Sequence, residues 1–513
     1  MLHGDLLAER ARLTPEATAL VEVATGRRLT YGELEQRACR CARMLRGDLG
    51  LGKGDRLGLL CGNRAEFLDV FFAAAKTGVI LVPLNTHLAA RELELIVRDS
   101  GMHALIHDAE HGATARELRE RVKVERSVII GGGNDAGGLT YESLVQKSGE
   151  ASFRRTPCAP EDPFCLLYTS GTTGKPKGVV IPHRMVSWNG YNTVACWQLR
   201  SDDVSPIFTP LYHAGGLGAF LLPIFTVGGT IVLHAGFDPD EVWHVIEQER
   251  CTVVLGVPAI WKLLADASAF GTTDLSHVRW FISGGAPLPP SLVELYRDRG
   301  IILRQGYGLT EVGVNCFSMT DTDAWEHLGS VGKPLMFTEA KVVGDDGAEV
   351  PEGEVGELCF RGPHVSAGYW NNPEATAEGY DDDGWFHTGD LARCDAEGFF
   401  FIVGRRKQMF ISGGVNIYPV EIESVLAEHP AVADAAVVGV AHPTWGEVGA
   451  AFVVLREGGG ADVNELRAFL SGQIARYKIP KYFRIVDELP RTPYGKVLRR
   501  ELIESFKPEG DEA

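Results

Sequence analysis

The sequence predicts an α/β protein: a large N-terminal domain of βαβ-type sheets that ends in a small β-rich subdomain, followed by a small α+β C-terminal domain. Three observations carry that prediction. Short apolar runs alternate with helical apolar periods from Asp55 to Gln305, the pattern of βαβ units in a mostly parallel sheet. From about Gly329 to Val403 the texture changes to short strands separated by Gly, Asp and Pro turns. The charged break Gly404-Arg-Arg-Lys407 then opens a tail of roughly 110 residues, long enough to fold on its own. The boundaries read as 1–403 for the N-terminal domain, 404–407 for a hinge and 408–513 for the C-terminal domain.

In chain order, Thr30 and Glu33 form a capping box for a helix with Leu34, Ala38, Cys41 and Leu45 on one face. Strands are expected at 55–60, 78–83 and 104–106, with helices at 65–76 and 89–99 between them. Gly131 to Gly138 reads as a surface loop. Phe164 to Leu167 and Val179 to Ile181 are buried strands on either side of a polar stretch. Further strands fall at 203–209, 230–233, 253–256, 280–283 and 302–305, with helices over 239–249 and from Pro258. In the tail, a helix at 419–428 begins with Pro in its first turn. Strands at 433–440 and 450–455 and a helix at 464–474 follow.

Composition narrows the function. Hydrophobic residues are 45% and charged residues 23% of 513, the balance of a globular chain with a sizeable core. A formal net charge of −18 repels nucleic acid and anionic lipid, so neither is an expected partner. Ten scattered cysteines without a CxxC pair read as reduced thiols. The charged N-terminus lacks a signal-peptide core, and the apolar run Phe71 to Leu84 is interrupted by Lys76. The expectation is a cytoplasmic protein without stable membrane insertion.

The chemistry concentrates in Tyr168-Thr-Ser-Gly-Thr-Thr-Gly-Lys-Pro-Lys-Gly178. Glycines let backbone N–H groups converge on an anion, hydroxyls add donors, and lysines add positive charge. That combination suits a polyphosphate. It is not the P-loop of nucleotide hydrolases, because Lys175 is followed by Pro176 where a Ser or Thr would ligate magnesium.

Four more segments follow in order: Gln305-Gly-Tyr-Gly-Leu-Thr-Glu311, His387-Thr-Gly-Asp390, the run from Gly404 to Pro419, and Pro490 to Lys496. With these, the chain resembles the adenylate-forming superfamily of AMP-forming acyl- and aryl-CoA synthetases, luciferases and peptide-synthetase adenylation domains, over essentially its whole length. The resemblance implies two half-reactions, adenylation of a carboxylate by ATP and transfer of the acyl group to a thiol, with ATP, Mg²⁺ and CoA as cofactors.

It also implies the site. Thr169, Ser170, Gly171, Thr172, Thr173, Gly174 and Lys177 would hold the β- and γ-phosphates. Glu311 would hold Mg²⁺, and Thr310 would donate to the α-phosphate. Gly284, Gly285 and Ala286 would floor the adenine, with Tyr307 stacking on it and Gln305, Gly306, Gly308 and Ile402 around it. Asp390 would accept from the ribose hydroxyls, reinforced by Arg405. Lys496 would bridge carboxylate and α-phosphate during adenylation. A mobile C-terminal domain would swing about Lys407, bringing Gly413 and Gly414 to the pantetheine path. Lys496 also matches a position acetylated in related synthetases, which would remove the charge adenylation needs.

The segment Pro210 to Gly216 implies an acyl-pocket wall with His213 beside the carboxylate and no acid to pair an amino-acid ammonium. Trp188, Tyr191, Asn192, Val314, Cys316 and Phe317 are candidate linings. They suit a medium- or long-chain fatty acid or an aryl or cinnamate-type acid. An acyl-AMP ligase serving a carrier protein and a luciferase-like oxygenase remain alternatives. A catalytically dead relative would have lost Lys496, Glu311 or Asp390, and all three are present. A second copy of the chain, in a homodimer, is one further partner option.

Overall fold

The computed structural model describes residues 4–132, 139–149, 152–170, 176–456, 458–471, 473–491 and 497–507. Its largest sheet has seven strands in the order Leu139–Thr140, Arg126–Ile130, Ala104–Asp108, Arg56–Leu60, Ile80–Pro83, Pro163–Ser170 and Pro176–Pro182. All neighbours run parallel except the last pair, which is antiparallel from Pro163↔Pro182 to Ser170↔Pro176. The residues joining that pair are too few for the crossover a parallel connection needs, so the phosphate stretch forms a hairpin at the sheet edge. The strand Ile80–Pro83 is buried at every position, and so is the helix Ala65–Thr77, which explains why this segment reads as one apolar run.

A second sheet orders Val204–Ile207, Thr230–Leu233, Thr18–Glu22 and Arg27–Thr30. It continues through Thr252 N, which donates to Val204 O (2.8 Å), toward a parallel sheet of Val253–Gly256, Trp280–Ser283 and Leu303–Gln305. The strands at 18–22, 27–30 and 126–130 were not expected from the sequence; each is only four or five residues long, and two of them carry arginines. The helix His183–Trp197 was also missed, because Asn, Gly and Thr break up its apolar period. Glu339–Val343, Gly356–Arg361, Phe386–Cys394 and Phe400–Arg405 form the antiparallel β-rich subdomain.

Beyond Arg405 a separate sheet forms around Gly446–Leu455, paired antiparallel with Val432–His442 and parallel with Tyr482–Ile485. Helices Pro419–Ala427 and Val463–Ser471 contribute Ile422, Leu426, Leu466 and Leu470 to its own core. The Thr30–Glu33 capping box is present at the start of Tyr31–Gly47.

The N-terminal helix Leu6–Leu13 is tied to this framework by buried charge. Lys76 is fully buried, and its Nζ donates to Asp5 Oδ1 (2.9 Å) and Glu35 Oε2 (2.6 Å). Removing one partner leaves the others charged in a low-dielectric interior. Lys76→Ala is therefore expected to destabilise the fold by about 3–5 kcal/mol. Denaturant unfolding followed by circular dichroism measures this, and a shift near zero would mean the cluster is solvated.

Candidate functional site

The phosphate hairpin places Thr169 opposite Lys177 and Tyr168 opposite Gly178. A Cβ at Gly178 would lie 2.9 Å from the Tyr168 ring, so only glycine lets the arms approach. Tyr168 Oη donates to Asp99 Oδ2 (2.6 Å), tying the inner arm to the helix Ala90–Ser100. Gly171, Thr172, Thr173 and Gly174 lie outside the described residues, as does Lys496.

A strap from His364 to Trp370 crosses this hairpin, and nothing in the sequence reading anticipated it. Val180 N donates to Gly368 O (2.9 Å), Ala367 N to Val180 O (3.0 Å) and Trp370 N to Gly178 O (2.7 Å). The same strap reaches Glu311: Ser366 N donates to Glu311 O (2.8 Å), and Tyr369 Oη donates to Glu311 Oε1 (2.9 Å). Lys177 Nζ sits 5.1 Å from the Tyr369 ring centroid, a cation–π contact. One tyrosine thus joins the phosphate-stretch lysine to the expected metal carboxylate. Burial raises the Glu311 pKa, while the Tyr369 hydroxyl opposes that rise by stabilising the ionised form.

Gly284, Gly285 and Ala286 leave the carboxyl end of Trp280–Ser283, and Gly306 leaves that of Leu303–Gln305. This is the crevice where open α/β sheets bind ligands. Gly306 N donates to Ser283 O (2.7 Å) and Gly284 N to Gly256 O (3.1 Å), which holds the turns in register. A Cβ at Gly308 would lie 2.1 Å from Val314 O, so the loop before Thr310 closes on itself only with glycine. Tyr307 Oη donates to Asp390 Oδ2 (2.7 Å), and Arg405 Nε lies 2.9 Å from Asp390 Oδ1. One Tyr307 face is taken by the Phe360 ring, stacked at 6.1 Å, and Ile402 packs on the same cluster.

Beside Thr310 lies an almost wholly apolar cavity of about 50 Å³. Met185, Val186 and Asn189 enter it from the helix His183–Trp197, and Leu217 and Gly218 from the π-helix Gly215–Leu221. Phe71 and Phe164, packed edge to face at 4.8 Å, are among its lining. Val314 also lines it, at φ +54°, a strained conformation for a β-branched residue.

Of the six expected linings only Val314 is found there. Trp188 and Tyr191 lie on the opposite helix face, with Trp188 against Phe337. Asn192 Nδ2 donates to Thr338 Oγ1, while Cys316 and Phe317 belong to the core under Tyr307. Closeness in sequence to the motifs does not decide which side chains reach the cavity; tertiary packing does, with Trp188 taken up by Phe337 and Asn192 by Thr338. His213 is exposed to solvent, yet closely surrounded by protein. Surrounding protein lowers its pKa, and Nδ1 accepts from Gly215 N (3.1 Å), both favouring the neutral ring.

Lys407 follows the last strand of the β-rich sheet in a turn closed by Gln408 N and Met409 N donating to Arg405 O. Gly413 and Gly414 form the left-handed turn of a C-terminal hairpin, at φ +59° and +84°. Gly413 N donates to Trp445 O (2.9 Å), a bond within the C-terminal domain.

A family model described as AMP-binding enzyme matches residues 7–370, and one described as AMP-binding enzyme C-terminal domain matches residues 421–496. The chain belongs to the AMP-binding enzyme family. It is 41% identical to a feruloyl-CoA synthase of Amycolatopsis sp, over 98% of this chain and 99% of the relative. It is 37% identical to a long-chain-fatty-acid–CoA ligase of Mycobacterium tuberculosis, over 98% of each. Among solved structures, ATP-bound MatB from Rhodopseudomonas palustris superposes with a TM-score of 0.89 at 31% identity, over 99% of both chains.

The strap is also a stability element. His364 is buried, shares a 2.6 Å hydrogen bond between Nε2 and Thr338 Oγ1, and has its pKa pushed down from 6.5 to about 4 by desolvation. The unfolded histidine binds a proton near pH 6.5 that the folded one refuses until about pH 4. Stability is therefore lost as pH falls through that window, by about 3 kcal/mol. Subtracting unfolding curves of His364→Gln from wild type between pH 7 and 4 is expected to isolate that loss; parallel curves would contradict it.

Proposed function

We infer that this chain is an AMP-forming carboxylic acid–CoA ligase. The carrying observation is the convergence beside one apolar cavity of the phosphate hairpin, the Glu311–Tyr369–Lys177 contact and the Asp390–Tyr307–Arg405 cluster. An anhydride-forming step needs an anion cradle, a fixed nucleoside and a dry place for the acid, side by side.

In the first half-reaction a substrate carboxylate oxygen attacks the α-phosphorus of ATP, and pyrophosphate leaves. Thr169, Ser170, Gly171, Thr172, Thr173, Gly174 and Lys177 hold the β- and γ-phosphates in this reading, and Thr310 donates to the α-phosphate. Gly284, Gly285 and Ala286 floor the adenine, beside Gln305, Gly306, Tyr307, Gly308 and Ile402. Asp390, held by Tyr307 and Arg405, accepts from the ribose. Glu311 fits a magnesium ligand: its carboxylate is buried, Tyr369 takes only Oε1, and a hard cation binds through one carboxylate plus phosphate oxygens. Bound there, Mg²⁺ would neutralise phosphate charge. His213, neutral, walls the carboxylate. Lys496 bridges the carboxylate and the α-phosphate.

In the second half-reaction the CoA sulfur attacks the acyl carbon and AMP leaves. The C-terminal domain, 408–513, turns about the hinge at 404–407, with Lys407 as pivot, to withdraw Lys496 and present Gly413 and Gly414. The acid is apolar. The small cavity, about 50 Å³ and lined by the rings of Phe71 and Phe164, favours a compact aryl or cinnamate-type acid over a long chain. The feruloyl-CoA synthase relative supports the same class. All ten cysteines are free thiols, as in a reducing cytoplasm.

Purified protein with Mg²⁺, ATP, CoA and acids from acetate to palmitate, benzoates and cinnamates is expected to release AMP and pyrophosphate with an aryl acid. Pyrophosphate with none of them would overturn the reading. Lys496→Ala is expected to lower adenylation by at least about a hundredfold. Thioester formation from preformed acyl-adenylate should stay near wild type; equal losses in both steps would refute the assigned role.

A further inference from the structure

The acyl cavity contains one polar feature that its apolar lining does not explain. Asn189 is 4% exposed and lines the cavity with Phe71, Phe164, Met185, Leu217 and Val314. Its Nδ2 donates to Gly218 O (2.7 Å), and among the described residues its Oδ1 accepts no hydrogen bond. The amide orientation is fixed: turning it over would set two oxygens against each other at Gly218. Oδ1 is buried and lies 3.1 Å from where a Cβ on Gly313, another lining residue, would stand.

A buried amide oxygen without a donor is costly, and native interiors rarely leave one unpaired. Water is a poor remedy here, since a buried water needs two to four polar partners and, among the described residues, Asn189 and Thr310 are the only polar side chains in the lining. The remaining source of a donor is the acid itself.

We propose that Asn189 Oδ1 is a specificity determinant that accepts a hydrogen bond from the substrate, and that the acid is an apolar ring compound carrying a hydroxyl or ring N–H. This rests on the ligase reading and narrows its substrate class. A site built to pair a donor discriminates against an analogue lacking it far more than an apolar pocket can, because the analogue strands the acceptor.

The test compares kcat/KM for pyrophosphate release across matched acids: cinnamate, its 2-, 3- and 4-hydroxy and 4-methoxy derivatives, indole-3-acetate, its N-methyl analogue, and octanoate. Wild type is expected to favour at least one donor-bearing acid over its matched donor-free partner by about tenfold or more. In Asn189→Leu that ratio should collapse toward one, while the donor-free acid is still turned over. Equal use of matched pairs by wild type, or preference for octanoate, would overturn the proposal. So would a ratio that survives in Asn189→Leu, or in Asn189→Ser should the leucine variant not fold. Absence of pyrophosphate with every acid would instead refute the ligase reading, so the two failures are distinct.

Discussion

The site depends on a strap of seven residues, His364 to Trp370, that hydrogen-bonds to the phosphate hairpin on one edge and to Glu311 on the other. A strand at a sheet edge has one side without a ladder partner. Three backbone hydrogen bonds to the strap give the hairpin's outer arm a partner. Tyr369 carries the coupling into the side chains, with its hydroxyl on Glu311 and its ring under Lys177. The Glu311 carboxylate and the Lys177 ammonium, proposed to serve one polyphosphate, are thereby held by the same tyrosine without any ligand, which is what electrostatic preorganisation requires.

The same economy recurs at Asp390. That carboxylate is 3% exposed, and charge so buried survives only when paired. Tyr307 and Arg405 supply the pairing from the carboxyl end of the parallel sheet and from the last strand of the β-rich sheet. The nucleoside side of the cleft is thus assembled from two sheets, just ahead of the hinge turn at Lys407. The acyl side differs in kind. Its lining is mostly aliphatic and aromatic, and among the described residues it includes one buried acceptor without a partner, Asn189 Oδ1. Charge is confined to one wall of the cleft and apolar surface to the other.

Much of this was legible in the sequence. Buried strands such as Trp280–Ser283 announce themselves as apolar runs, and Glu311, Asp390 and Arg405 sit in motifs whose residue types match their chemistry. What was not legible depends on contacts between distant segments. Tyr369 and Glu311 are far apart in the chain, and no periodicity links them. The cavity lining failed for a related reason: the face of the helix His183–Trp197 that meets the π-helix is chosen by tertiary packing, and Trp188 looks no less suited than Met185 until that packing is known. The π-helix itself, Gly215–Leu221, carries three glycines and would pass for a loop. The hairpin of the phosphate stretch was half visible, as two strands whose antiparallel sense only the short connection dictates.

The measurement that bears most directly on the strap is a double-mutant cycle on nucleotide binding. Affinity for Mn²⁺·ATP, read by calorimetry and by electron paramagnetic resonance of the metal, would be compared in wild type, Tyr369→Phe, Glu311→Gln and the double variant. If Tyr369 acts through Glu311, the phenylalanine substitution weakens binding in the wild-type background and changes little once Glu311 is gone, with a coupling of about 1 kcal/mol or more. Strictly additive effects would contradict the account, since the tyrosine would then act on something other than the carboxylate it touches.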